Sequence, residues 1–166
     1  MAILKPNAFE FFSHSAEQTR RLGVRLGAML PVGTVICLEG DLGSGKTTLV
    51  QGIAQGWGST DRVTSPTFVI LNQYRRPNGM QLFHADAYRL AENDPFDLAI
   101  LDLEQALENG VLIVEWADRL RNSLPKEHIW IEMQWMGPNS RHFILTPEGK
   151  QNTQILKDLQ LAIYGV

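Results

Sequence analysis

Apolar residues recur along this chain with two periods, and those periods predict its elements. Thr34–Glu39 and Val111–Glu115 are apolar at nearly every position, the pattern of strands covered on both sheet faces. Leu22, Leu26, Met29 and Leu30 fall three and four apart, which is one face of a helix. Ser15 and Gln18 supply an S-x-x-Q start for that helix, and Pro31 and Gly33 end it. Lys46 to about Gln55 predicts a second helix, closed by Gly56 and Gly58. Phe68–Tyr74 and Met80–Ala87 are strand-like, and the Asn78-Gly79 pair between them predicts the turn of an antiparallel hairpin.

The remaining elements follow the same reading. Ala8–His14 is a short aromatic strand. Pro95–Asn109 is helical in one or two pieces and stops at Gly110, and Ala117–Leu124 is a short helix before Pro125. Glu127–Trp135 and Arg141–Thr146 are late strands joined at Gly137-Pro138, and Lys150–Tyr164 is a closing helix. Strands alternating with helices, without a repeat, predict an α/β fold. The expectation is one three-layer α/β/α P-loop NTPase-like domain with a mixed sheet, spanning residues 1–166.

Composition narrows the function. At 166 residues, 44% hydrophobic and 20% charged, the chain has material for one sizeable core. No apolar run approaches the roughly 18–20 residues of a membrane span. The short run before Lys5 falls below the about 7–15 apolar residues of a secretory signal. Fifteen Lys and Arg against 18 Asp and Glu leave a charge of −3, poorly suited to holding bare nucleic acid by phosphate neutralisation. The single cysteine, Cys37, excludes an internal disulfide and reads as an inert core thiol, and the four histidines lack zinc spacing. A cytoplasmic location is expected.

The sharpest motif is Gly40 to Thr47, which fits G-x-x-x-x-G-K-[ST] between an apolar strand and a helix. Gly40, Gly43 and Gly45 are expected to let the backbone take left-handed angles, so that consecutive N–H groups converge on phosphate oxygens at a helix N-terminus. Lys46 supplies a cation at the β and γ phosphates, Thr47 a hydroxyl for Mg²⁺, and Thr48 a contact to the α-phosphate. No N-K-x-D base-reading motif is present, so adenine is the expected base by default.

Such a site needs carboxylates at neighbouring strand ends. Asp86 closes the second hairpin strand and is the candidate Mg²⁺ partner. Glu115 closes the apolar run at Val111–Val114 and is the candidate to orient or deprotonate water. Trp116 can pack on the nucleotide, although an aromatic after a strand is as often core. His84 reads better as a satisfied strand residue than as a base, and Arg89 can neutralise phosphate or pair on the surface. Thr64–Phe68 has the hydroxyls and proline of a nucleotide-sensing switch, or of a plain connection. The acid-rich stretch Asp86–Asp118 is a docking face or simply solvated helix.

Taken in order, Gly40–Thr48, Thr64–Phe68, His84-x-Asp86-x-Tyr88-Arg89-Leu90 and Glu115-Trp116 resemble the bacterial TsaE (YjeE) family. The resemblance runs from about Phe11 to Leu120. The family commonly has Leu at Ala87, Glu at Gln73 and Pro-Glu at Ala117-Asp118, and none of these departures removes a ligand. The resemblance implies an Mg²⁺-dependent ATPase of the tRNA threonylcarbamoyladenosine machinery, which binds the TsaD–TsaB pair and resets it between turnovers. It implies Asp86 as the magnesium Asp, Glu115 as the catalytic Glu, Trp116 as the family Trp and Thr64–Phe68 as the switch.

The expected nucleotide-binding set is Asp41, Leu42, Gly43, Ser44, Gly45, Lys46, Thr47, Thr48 and Trp116. The expected catalytic set is Glu115, Lys46 and Asp86, and the expected metal set is Thr47, Asp86 and Glu115. ATP and Mg²⁺ are the expected cofactors, with TsaD and TsaB homologues as partners and tRNA engaged indirectly. Direct tRNA contact would need Arg20, Arg21, Arg25, Arg75, Arg76, Arg119 and Arg121 gathered on one face. A small-molecule kinase and a nucleotide-gated binding module without turnover are the rival readings.

Overall fold

A computed structural model describes residues 4–41, 43–63, 71–87 and 103–165. One seven-stranded sheet organises them. In chain order the elements are β1 (Phe9–Ser13), α1 (Ala16–Gly27), β2 (Val35–Gly40), α2 (Lys46–Trp57), β3 (Leu71–Arg75), β4 (Gln81–Asp86), α3 (Leu103–Asn109) and β5 (Gly110–Glu115). A 3-10 helix (Ala117–Ser123), β6 (His128–Trp135), β7 (Arg141–Glu148) and α4 (Lys150–Tyr164) follow.

The strand order is β1-β7-β6-β2-β5-β4-β3. The four central strands β6, β2, β5 and β4 are parallel, and β1, β7 and β3 pair antiparallel at the flanks. The sheet is therefore mixed, as expected. Successive β2 side chains alternate between two cores. Ile36 and Leu38 join Leu26, Leu49, Ile53 and Leu159 of α1, α2 and α4 on one face. Val35 and Cys37 join Ala106 of α3 and Leu120 of the 3-10 helix on the other. Three layers result. Burial pushes the Cys37 thiol up to about 12, in keeping with an inert core group.

Local chemistry explains the ends of these elements. The Ser15 hydroxyl accepts from the Gln18 amide at 3.1 Å, and the Gln18 side chain accepts from the His14 amide at 2.7 Å. The capping box thus closes one residue earlier than its usual reciprocal bond. The hairpin turns where expected, with Gly79 at φ 87° and Arg76 N–H donating to Met80 O at 3.1 Å.

Three readings are refined. Gly56 does not close α2, which runs on to Trp57 and is capped by Gly58 at φ 104°. A Cβ on Gly56 would lie 2.0 Å from the Val24 carbonyl oxygen, so Gly56 permits close packing against α1. The short helix expected after β5 forms, as a 3-10 helix. The seven arginines do not share one face, because α1 and the 3-10 helix cover opposite sides of the sheet. Leu42, Thr64–Phe68, Tyr88–Leu90 and residues 88–102 of the acid-rich stretch lie outside the described residues.

Candidate phosphate-binding site

Parallel strands bring their carboxyl ends to one edge, the place where open α/β sheets collect ligands. Here β2 ends at Gly40, β5 at Glu115 and β4 at Asp86. Asp86 and Glu115 are register partners, and Leu38 faces Glu115 from the other side. The residues after Gly40 turn sharply into α2. Gly43 (φ 81°) and Gly45 (φ 100°) take the left-handed angles expected of them. Gly40 does not; it is needed for closeness, since a Cβ there would meet the Met133 carbonyl oxygen at 2.6 Å and Ser44 Oγ at 2.8 Å.

A cleft of about 320 Å³ opens in front of this turn. It gathers Gly43, Gly45, Lys46, Thr47, Thr48, Asp86, Glu115 and Trp116 from the expected set. Asp41 lines instead an adjoining cleft of about 570 Å³, with Glu39, Asp118 and Glu132, and that cleft is markedly acidic. Ser44 is buried, and its hydroxyl has no partner among the described residues.

Lys46 is the central cation. Its ammonium donates to the Gly40 carbonyl and, at 3.0 Å, to the Asp41 carbonyl. It also sits 4.4 Å from the centre of the Trp116 ring. Burial lowers the Lys46 pKa below its ordinary value, while Glu115, Asp41, Asp118 and Asp86 pull it back up. Trp116 reaches this position through a left-handed backbone (φ 57°, ψ 39°), a genuine outlier for a bulky residue. Such strain collects at functional sites, and here it turns the indole over Lys46 immediately after β5 ends.

Glu115 is buried, at 5% exposure, yet it does not stand alone. His84, fully buried on β4, donates from Nε2 to Glu115 Oε2 at 2.5 Å. The other ring nitrogen, Nδ1, lies 3.0 Å from the Tyr74 hydroxyl, within hydrogen-bonding distance. Asn72 in turn donates to Tyr74 Oη at 3.5 Å. His84 is thus a satisfied strand residue whose partner is the candidate catalytic carboxylate. Tyr74 escaped the sequence reading because its hydroxyl looks like ordinary strand composition until β3 and β4 pair.

Arg141 also escaped it. It opens β7, far along the chain, and its side chain leans over Gly45 in the cleft. No local motif marks it.

The donor chemistry suits Mg²⁺ with a nucleotide. The Thr47 hydroxyl and the Asp86 and Glu115 carboxylates are hard oxygen ligands around one cleft. No group of three or more His, Cys, Asp or Glu able to hold a metal occurs among the described residues. Among those residues no helix is long and apolar enough to cross a membrane.

A mixed α/β/α sheet with a glycine loop between its second strand and the following helix defines a P-loop NTPase-like protein. Residues 13–143 match the family described as Threonylcarbamoyl adenosine biosynthesis protein TsaE. A tRNA threonylcarbamoyladenosine biosynthesis protein TsaE from Synechocystis sp. is 42% identical over 70% of this chain and 75% of its own. One from Nostoc sp. is 38% identical over 83% and 85%. The crystal structure of Bacillus subtilis YdiB matches with a TM-score of 0.76 at 28% identity, covering 98% of this chain and 99% of that one. The chain belongs to the TsaE family of threonylcarbamoyladenosine biosynthesis proteins.

Proposed function

We propose that this chain is an Mg²⁺-dependent ATPase, and that its ATP binding and hydrolysis drive turnover of a TsaD–TsaB complex during threonylcarbamoyladenosine formation on tRNA. One observation carries the reading: Lys46, Thr47, Asp86 and Glu115 line one cleft at the sheet's carboxyl edge, in front of a left-handed glycine turn. The amides of Gly43–Thr48 hold phosphate oxygens at the positive end of α2. Lys46 exchanges the Gly40 and Asp41 carbonyls for the β and γ phosphates, and Trp116 keeps it aimed there. Thr47 and Asp86, with Glu115 nearby, would hold Mg²⁺, which would supply positive charge to offset that of the phosphates.

Glu115 orients the attacking water. His84 fixes Oε2 and leaves Oε1 for the water, whose oxygen bonds to the γ phosphorus as the bond to the bridging oxygen breaks. The proton passes to Glu115 and then to solvent. Positioning and charge stabilisation supply most of the rate in such reactions, so turnover by the isolated chain is slow.

Two measurements test this. ATP hydrolysis rises when TsaD and TsaB homologues are added; equal and rapid turnover with and without them contradicts partner dependence. In cells depleted of the protein, wild type restores threonylcarbamoyladenosine in tRNA by mass spectrometry and Lys46→Ala does not. Full restoration by Lys46→Ala overturns the nucleotide's role.

A further inference from the structure

Arg141 is a half-buried cation whose local bonds leave part of it unused. It opens β7, where it faces Trp135 of β6 and Ser13 of β1. Its Nη1 donates to the carbonyls of Gly137 at 2.7 Å and Ser140 at 2.9 Å, both in the turn between β6 and β7. Those two bonds consume both Nη1 hydrogens and fix the plane of the guanidinium. The Nε–H is buried and has no acceptor among the described residues. No carboxylate among them lies within ion-pairing distance of this side chain. A buried donor without a partner, on an unpaired cation, is costly to keep unless an anion comes to it.

Its place says which anion. Cγ and Nε both lie 3.9 Å from where a Cβ on Gly45 would stand, so the side chain runs directly beside the glycine turn. Arg141 lines the cleft of Lys46, Asp86 and Glu115, and also a smaller cleft of about 90 Å³ with Ser15, Thr19, Thr48 and Asn139. Gly45 and Thr48 belong to both clefts, whereas Lys46, Asp86 and Glu115 belong only to the first. Arg141 therefore stands at the joint, away from the end where the acids mark the terminal phosphate.

We infer that Arg141 is a second cation of the nucleotide site, built into this chain, and that it binds the phosphate next to the nucleoside. This rests on the phosphate-site reading above. The ligand class is a nucleoside di- or triphosphate, and the contact is a charge-assisted hydrogen bond from Nε–H to the α-phosphate. Because ATP and ADP share that phosphate, Arg141 strengthens both equally.

Titration calorimetry with Mg²⁺ and either ADP or a non-hydrolysable ATP analogue tests this on the full chain. Arg141→Gln weakens both ligands about tenfold and by the same factor, and Arg141→Lys, which keeps the charge but not the fork, recovers part of the loss. Since the turn at Gly137–Ser140 also leans on this side chain, a wild-type measurement stands beside the variants. The Nε–H resonance of Arg141, assigned by side-chain correlation, shifts on adding ADP. Unchanged affinity in Arg141→Gln, a loss confined to the ATP analogue, or a resonance unmoved by saturating ADP each overturns the inference. Wild type binding neither nucleotide would instead bring down the phosphate site itself.

Discussion

Two groups of glycines sit at opposite ends of one contact surface and answer to different physics. In the turn before α2, Gly43 and Gly45 have φ of 81° and 100°, and a Cβ on either would meet nothing nearer than 3.9 Å. Where α1 packs on α2, Gly23, Gly27, Gly52 and Gly56 are helical, and a Cβ on each would lie 2.0–2.5 Å from a carbonyl oxygen of the other helix. The first group supplies a conformation that side chains resist. The second supplies a distance that side chains forbid. One helix joins them: α2 offers its N-terminus to the proposed phosphates and is clamped along its flank by α1. The clamp serves the fold and the turn serves the ligand, so damage to each should be read in a different observable.

Substitution at the clamp should have the largest effect. Gly27→Ala places a methyl group 2.1 Å from the Ile53 carbonyl oxygen, a backbone atom that can yield only if the helices separate. The expected loss is about 3 kcal/mol or more in urea unfolding, at the upper end of overpacking costs. A loss under about 1 kcal/mol would mean that the helices are not held at this distance. Next comes Gly45→Ala in the turn. The left-handed angle costs about 1–2 kcal/mol for a residue with a Cβ. Nucleotide affinity should fall further than that figure, because the amides no longer converge. Calorimetry and unfolding on the same variant separate the two quantities, and equal losses would erase the distinction drawn here.

The smallest effect should have the opposite sign. Burial lowers the Lys46 pKa, so the fold disfavours its charged form. That penalty is fully present below the lowered value and disappears as pH rises past the ordinary value of 10.5. Lys46→Met should therefore raise the melting temperature slightly at pH 7 while abolishing nucleotide binding. The advantage should shrink as pH climbs through the window below 10.5. A constant advantage at all pH values would trace the gain to packing rather than to the buried charge.

What the sequence determined by itself was local. Lys150–Tyr164 is helical at the residues its pattern marks, the Ser15 cap forms, and Asn78-Gly79 turns the hairpin, because period, caps and turn angles depend on neighbours a few residues apart. The glycine turn and the two carboxylates were legible too, since a strand's last residue is visible in the apolar run that precedes it. The tertiary structure alone decided what meets them. His84 and Glu115 are 31 residues apart and bond only because β4 lies beside β5. Arg141 reaches Gly45 only because β6 and β7 fold back against β2. Gly56, at the expected end of a helix, turned out to be its point of contact with α1. Sequence period encodes which way a side chain faces along its own element; what it faces depends on strand order and helix crossing, which the chain sets through contacts distant in sequence.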